Sequence, residues 1–256
     1  MRKKNYLIIY ENYLYGGTTT HLINLVNSKE FKKTNITILT NSDNEGVKDL
    51  KKNIKNNKVQ IKLFDTLNGH VSKFFLIKLF LLIFKPLIFL ISIIQFKNYL
   101  KNLDYDFLIA NCGGYGNFRT EVASIIASKI NGKNNNYLLI HHKYRKPIFW
   151  RLVVIFVDYI IQDFLKKIIF VSNATKRSII ENSGFNRKFE DKFLVIHNGI
   201  QVRKKKIRIK RLFNTKKNII KIGMLSRIEK YKGQADLLKS INELNSVIKK
   251  KIVVFL

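Results

Sequence analysis

The chain has 256 residues, of which 46% are apolar and 25% charged, and these proportions exclude a disordered tail. Its single cysteine, Cys112, excludes a disulfide within the chain and fits a reducing compartment. The net charge of +31 predicts attraction to anions such as phospholipid headgroups or nucleic acid, although a lysine-rich composition alone also produces such a charge. The apolar run after the basic N-terminus is too short for a signal peptide, so we predict a cytoplasmic protein.

Short apolar runs alternate with helical patterns over residues 1–202, which predicts an α/β domain with a parallel sheet. The predicted strands are Tyr6–Tyr10, Ile36–Leu39, Val59–Leu63, Phe107–Ala110, Tyr137–His141, Ile168–Val171 and Leu194–Ile196. The predicted helices are Thr19–Lys29, Val47–Asn56, Arg119–Ile130 and Ala174–Asn182, with a long apolar helical region after Tyr137–His141.

Residues 71–97 are strongly apolar but are interrupted by Lys73, Lys78, Lys85 and Pro86. Charges and a proline near the middle argue against a transmembrane helix. The pattern favours a helix, or a pair broken at Pro86, that lies in a membrane interface with its lysines among lipid phosphates. A helical pair packed on the domain's own sheet is the alternative.

Residues 203–217 are rich in Lys and Arg and contain no acid, which indicates a basic linker. A second βα pattern follows in residues 218–256, with a strand at Ile219–Leu225, a helix at Gln234–Lys249 and a strand at Lys251–Leu256. Because a domain that ends on its second strand leaves its sheet uncovered, we expect this C-terminal domain to be truncated.

Gly16 and Gly17 stand between the first predicted strand and the first helix. Glycines at this place let the backbone approach a ligand, and the helix N-terminus offers N–H groups to an anion. An ordinary tight turn is the alternative, since neither the dinucleotide fingerprint nor a P-loop is present.

His141 and His142 end a predicted central strand. Ligands of open parallel sheets bind beyond the carboxyl ends of the strands, where a histidine can contact a substrate oxygen or act as acid or base. Neighbours on a strand point to opposite sides, so one of the two is expected to face the cleft. No cysteine or carboxylate stands nearby at zinc-ligand spacing, so we predict no metal.

Two further elements follow later strands. Ser172 stands after Ile168–Val171, where it can also cap the next helix, and Asn198-Gly199 is a turn signal after Leu194–Ile196. In residues 218–256, Gly223 ends a strand, and Arg227 and Lys232 follow before a helix. Two cations there can hold a diphosphate and stabilise it as it leaves, although either one alone also fits a surface charge.

The order of these elements resembles that of the retaining group 1 glycosyltransferases. The elements are the Gly-Gly loop, the histidine after a central strand, the apolar-Val-Ser element, the Val-x-x-Asn-Gly-Ile element and Gly-x-x-x-Arg with Lys-Gly. His197 stands where that family usually has proline. The resemblance implies a GT-B fold, in which a complete N-terminal Rossmann-like domain precedes a second one that is only begun here. It places Gly16 and Gly17 near the sugar diphosphate, His141 or His142 on the transferred sugar, and Arg227 with Lys232 on the donor diphosphate.

The resemblance implies transfer of a sugar from a nucleotide-sugar donor to a saccharide or lipid-linked acceptor, with retention, without a required metal or other cofactor. We expect a role in cell-surface polysaccharide or lipopolysaccharide synthesis at the inner face of the membrane, against its anionic surface. The alternatives are an inactive, membrane-associated remnant and a basic nucleic-acid-binding protein, for which no recognised signature is present. The Asp104-Tyr105-Asp106 sequence precedes a strand instead of following one, which favours a polar strand entrance over a metal site.

Overall fold

The computed structural model describes residues 3–13, 15–67, 75–147, 149–200, 219–226, 228 and 232–255. The chain divides into two compact units, Met1–Gln201 and Val202–Leu256. The predicted basic linker, residues 203–217, lies outside the described residues.

The first unit contains one sheet in which every neighbouring pair of strands is parallel. Its strands are Asn5–Ile9 (β1), Asn35–Thr40 (β2), Val59–Leu63 (β3), Phe107–Cys112 (β4), Asn136–Ile140 (β5), Lys167–Phe170 (β6) and Phe193–Val195 (β7). Their spatial order is β3-β2-β1-β4-β5-β6-β7. The predicted α/β class with a Rossmann-like parallel sheet is therefore confirmed, and each predicted strand is found within two residues of its expected bounds.

Helices cover both faces of this sheet. They are Gly17–Val26 (α1), Val47–Asn53 (α2), Phe75–Ile83 (α3), Lys85–Lys101 (α4), Thr120–Ile130 (α5), Arg151–Phe164 (α6) and Asn173–Asn182 (α7), followed by a 3-10 helix at Arg187–Lys192. Because successive side chains of a strand point to opposite faces, β1 contributes to two cores. Leu7 and Ile9 pack with residues of α4, α5 and α6, whereas Ile8 and Tyr10 pack with residues of α1 and α2.

The apolar segment 71–97 is a helical pair wherever it is described. Phe84 separates α3 from α4, and Pro86 stands in the first turn of α4, where a missing N–H costs no helical hydrogen bond. One face of α4 is buried against the core through residues that include Phe89 and Phe96. Other apolar side chains of the pair are exposed, namely Ile77, Leu79, Phe80, Ile83, Leu87, Leu90, Ile91 and Ile94.

The helical pair therefore packs on its own domain and also leaves an apolar face exposed. Residues 71–74, with Lys73, and the side chain of Lys78 lie outside the described residues. In the part of the chain that the structure describes, no helix combines the length and the apolar character needed to cross a bilayer.

The second unit contains a parallel pair of strands, Ile220–Gly223 (β8) and Ile252–Phe255 (β9). The single helix predicted over Gln234–Lys249 is wrong, because the structure has two helices, Gln234–Asn242 (α8) and Ser246–Lys249 (α9). The break has a local cause. The side chain of Asn245 accepts a hydrogen bond from the backbone N–H of Ile248 and so caps a new helix.

The Asp104-Tyr105-Asp106 sequence lies at the amino edge of the sheet. Asp106 accepts a hydrogen bond from the backbone N–H of Asn5 at 2.8 Å, and Asp104 accepts one from the Asn5 side chain at the same distance. Both carboxylates thus join the entrance of β4 to the entrance of β1. The prediction of a polar strand entrance is confirmed.

Candidate active site

The candidate site lies at the carboxyl edge of the sheet in the first unit. β1 and β4 are neighbours there. The strands β2 and β3 extend the sheet on the side of β1, and β5, β6 and β7 extend it on the side of β4. Connections that leave neighbouring strands in opposite directions open a crevice, and ligands of doubly wound sheets bind in it. The segments after β1, β4 and β5 border this crevice.

The first turn of α1 borders the crevice after β1. Gly16 is its N-cap residue, no side chain caps the helix, and no acid stands in the first turn. The hydroxyl of the buried Tyr10 hydrogen-bonds to the hydroxyls of Thr18 at 3.1 Å and Thr19 at 2.8 Å, which fixes the turn on β1. A fixed, uncapped helix start offers its N–H groups and its dipole to an anion.

Neither Gly16 nor Gly17 is required by the fold in the described residues. A Cβ atom added at either position would meet no atom within 4 Å, and the φ of −172° at Gly16 is an extended conformation open to any residue. The open space at both positions leaves room for a ligand to approach the backbone.

His141 follows β5 and is buried, with 8% of its surface exposed. Its Nε2 lies 2.7 Å from Oδ1 of Asn111 on β4. Its ring meets the ring of His21 on α1 edge to face, with centroids 4.8 Å apart. The structure thus brings together residues from β4, β5 and α1, and sequence reasoning identified only His141 among them.

The environment keeps these imidazoles neutral. Burial, with smaller effects of His21 and His142, lowers the pKa of His141 to about 3, and burial also lowers the pKa of His21. A neutral imidazole can donate one hydrogen bond and accept one, whereas a base with so low a pKa is a weak proton acceptor near pH 7. The arrangement suits binding of a sugar hydroxyl better than proton abstraction.

The other predicted residues of the first unit lie at the same edge of the sheet, but their surroundings differ from that of His141. His142 is exposed. Ser172 accepts a hydrogen bond from the backbone N–H of Thr175 at 3.1 Å, so the helix-cap interpretation is confirmed. Asn198 and Gly199 are exposed in irregular structure, and the turn predicted from them is not formed.

A cavity of about 280 Å³ lies beside the crevice, and the sequence did not reveal it. Among the described residues, four cations and one carboxylate line it, and these are Lys85, Arg119, Arg145, Lys146 and Glu11. Arg119 pairs with the buried Glu121 at 3.3 Å. Burial raises the pKa of Glu121 against the opposing effect of Arg119. The cavity, called the basic cavity below, keeps a cationic excess after this pairing.

Backbone packing fixes one wall of the basic cavity. The N–H of Arg145 donates to the carbonyl of Tyr115 at 2.7 Å. Gly116 has a φ of +109°, and a Cβ atom there would collide with the Arg145 carbonyl oxygen. Glycine is therefore needed where the segment after β4 crosses the segment after β5.

In the second unit, Gly223 is the last residue of β8, and Lys232 is exposed two residues before α8. Gly233 caps α8 with a φ of +85°, which favours glycine. Arg227 lies outside the described residues. Among the described residues, no group of three or more His, Cys, Asp and Glu side chains is placed to hold a metal ion.

Two solved structures share this architecture. A glycosyltransferase from Rickettsia africae ESF-5 matches with a TM-score of 0.57 at 17% sequence identity, over 100% of this chain and 68% of that one. The apo form of the lipopolysaccharide outer core galactosyltransferase WaaB matches with a TM-score of 0.52 at 13% identity, over 98% of this chain and 67% of that one. The chain shares its fold with glycosyltransferases. The predicted GT-B fold class is thereby supported in full, whereas no family model and no curated protein matches the sequence.

Proposed function

We propose that this protein transfers a sugar from a nucleotide-sugar donor to a saccharide or lipid-linked acceptor with retention of the anomeric configuration. The observation that carries the proposal is the start of α1. Gly16 and Gly17 are not required by backbone or packing, yet they stand at an uncapped helix N-terminus beside the switch point of a fold shared with glycosyltransferases.

In this proposal the residues have distinct roles. The first turn of α1 approaches the sugar diphosphate through Gly16 and Gly17, and His141 or His142 contacts the transferred sugar. The neutral state of His141 supports contact by hydrogen bonding. In the second unit, Arg227 and Lys232 hold the donor diphosphate and stabilise its charge as it leaves, with no metal required.

The acceptor side of the proposal concerns the membrane. The exposed apolar side chains of α3 and α4 and the net charge of +31 support a peripheral position on an anionic surface, at the inner face of the cell membrane. A place in the synthesis of cell-surface polysaccharide or lipopolysaccharide would follow from that position.

Transfer from a panel of nucleotide sugars to water and to saccharide acceptors tests the function, with the product anomer assigned by proton NMR. We expect Arg227→Ala and Lys232→Ala each to lower turnover by at least about tenfold, since each removes a cation from the leaving group. Lys250→Ala, which removes an exposed lysine beyond α9, is the matched control and should leave turnover unchanged. Failure of every nucleotide sugar to bind or react would overturn the proposal, and an inverted product would overturn its stereochemical part.

A further inference from the structure

An apolar groove lies next to the basic cavity on the first unit. It has a volume of about 480 Å³ and is formed by α4, α5 and α6. Its walls include Leu90 and Ile93 of α4, Ile126 of α5 and Val157 of α6, and Lys129 is the one charged residue among the described lining residues. Apolar concavities of this kind on a protein surface are typical of binding sites for hydrocarbon.

The groove and the basic cavity are neighbours on the first unit. Phe118 lines both, and at the start of α4 the cavity-lining Lys85 is followed directly by the groove-lining Pro86. The apolar surface also continues past the groove, because Leu152 and Phe156 of α6 expose 81% and 62% of their surfaces. The indole N–H of Trp150 donates to the carbonyl of Leu82 at 3.2 Å and so joins the start of α6 to α3.

The charge of the cavity is suited to a phosphate. Glu121 pairs with Arg119. Among the described lining residues the one carboxylate is Glu11, which accepts a hydrogen bond from the Tyr13 hydroxyl. The side chains of Arg145 and Lys146 have no hydrogen-bond or ion-pair partner in the described part of the chain. Burial lowers the pKa of Lys85, and an anion beside it would raise that pKa again.

We propose that the basic cavity and the apolar groove together bind one lipid phosphate, with the phosphate among Lys85, Arg145 and Lys146 and the hydrocarbon between α4, α5 and α6. Attraction to the cations binds the phosphate, and removal of the hydrocarbon chain from water stabilises its place in the groove. A role of this lipid phosphate as carrier of the acceptor rests on the proposed function. The binding of the lipid phosphate does not rest on it.

Calorimetric titration of the full chain with dodecyl phosphate, below its micellar concentration, tests this site. We expect one molecule to bind per chain, and inorganic phosphate and octyl glucoside to bind at least about tenfold more weakly, since each lacks the tail or the charge. Equal affinity for inorganic phosphate would overturn the proposal in favour of a free-anion site. Absence of dodecyl phosphate binding in a protein that sediments as a dimer would overturn it in favour of a groove covered by a second copy.

Variants locate the two halves of the site. We expect Arg145→Gln with Lys146→Gln, and separately Leu90→Gln, each to weaken dodecyl phosphate binding about tenfold with unchanged thermal unfolding, because these side chains are exposed. Lys51→Gln with Lys52→Gln removes the same charge from α2, whose residue Leu50 packs in the other core. An equal loss in that control would show general electrostatic attraction and overturn the site.

The same proteins separate this inference from the proposed function. Dodecyl phosphate binding in a protein that transfers no sugar would overturn the glycosyltransferase proposal and leave the lipid-phosphate site. Sugar transfer by a protein that binds no dodecyl phosphate would overturn the site alone.

Discussion

The imidazole of His21 meets the imidazole of His141 edge to face, with ring centroids 4.8 Å apart. One residue lies on the first helix and the other after the fifth strand, 120 positions later in the chain. This contact joins the helix start with its two glycines to the central strands. Burial lowers the pKa of each ring.

His141→Gln should change the dependence of stability on pH. Burial lowers the pKa of His141 from its ordinary value of 6.5 to about 3, so between these values the unfolded chain binds a proton that the folded chain does not. This residue therefore destabilises the folded state as pH falls from about 6.5 towards 3, by at most about 1.4 kcal/mol per pH unit. Relative to wild type, the variant should gain stability as pH falls from 7 to 4.

Urea unfolding of both proteins at several pH values measures this difference. The comparison of two proteins matters because Asp158 and Glu121 have raised pKa values and contribute slopes of the opposite sign. His197→Gln, at an exposed residue, is the matched control. A pH-independent difference between wild type and His141→Gln would show that His141 is not held neutral by burial.

Gly17→Ala should separate ligand binding from folding. An added methyl meets no atom within 4 Å, so the free energy of unfolding should stay unchanged or rise by up to about 1 kcal/mol. The same methyl would stand between the helix N-terminus and a bound diphosphate, so nucleotide-sugar affinity should fall at least about tenfold. Thermal unfolding and ligand titration on one preparation give both values, and a destabilised variant would restore the tight-turn interpretation.

Gly184→Ala should destabilise the protein severely. A Cβ atom there would collide with the carbonyl oxygen of Ile155 in α6, and backbone cannot yield as a flexible side chain does. We expect a loss of about 3 kcal/mol or more in urea unfolding. Gly132→Ala is the control, because its Cβ would meet open space. Only the φ of +78° is unfavourable for alanine there, so the expected loss in free energy of unfolding is about 1 kcal/mol.

Tyr115→Phe should lower the free energy of unfolding, and should lower it more at high pH. The hydroxyl of Tyr115 donates to Asp158 at 2.6 Å, and burial raises the pKa of that carboxyl from 3.8 to about 7 while this hydrogen bond opposes the rise. The bond thus favours the ionised form. Its removal should cost about 1–3 kcal/mol, with the larger value at pH 8, where Asp158 is ionised, than at pH 5.

Tyr144→Phe is a matched control for that change. The Tyr144 hydroxyl is buried and has no hydrogen-bond partner among the described residues, so its removal should cost little or nothing at either pH. Equal losses for the two variants in urea unfolding would contradict the role assigned to the Tyr115–Asp158 bond.

Features set by neighbouring residues were predictable from the sequence. Apolar runs of strand length predicted β1 to β7, and the rule that ligands gather at carboxyl ends of strands directed attention to Gly16, Gly17 and His141. The break between α8 and α9 has a local signal as well, since Asn245 stands before Ser246–Lys249, but the apolar periodicity continues across it and concealed the cap.

Features set by distant residues were not predictable. The bond of Asn111 to His141 joins two strands, and the basic cavity joins α4 to the segments after β4 and β5. In the sequence, each of its cations, such as Arg145, looks the same as any other surface charge of a lysine-rich chain. Their convergence depends on tertiary packing, which a single sequence does not display.

The strand order also constrains how the protein reaches its native state. β1 pairs on its inner edge with β4, and the register matches Tyr6 with Phe107, 101 residues further along the chain. During synthesis, β1 and β2 leave the ribosome long before β4 exists, so the inner edge of β1 stays open until residues beyond 112 have been added. Sheets that depend on such distant pairing fold slowly and expose strand edges meanwhile. Efficient production of this protein should therefore depend on chaperones that shield the early strands.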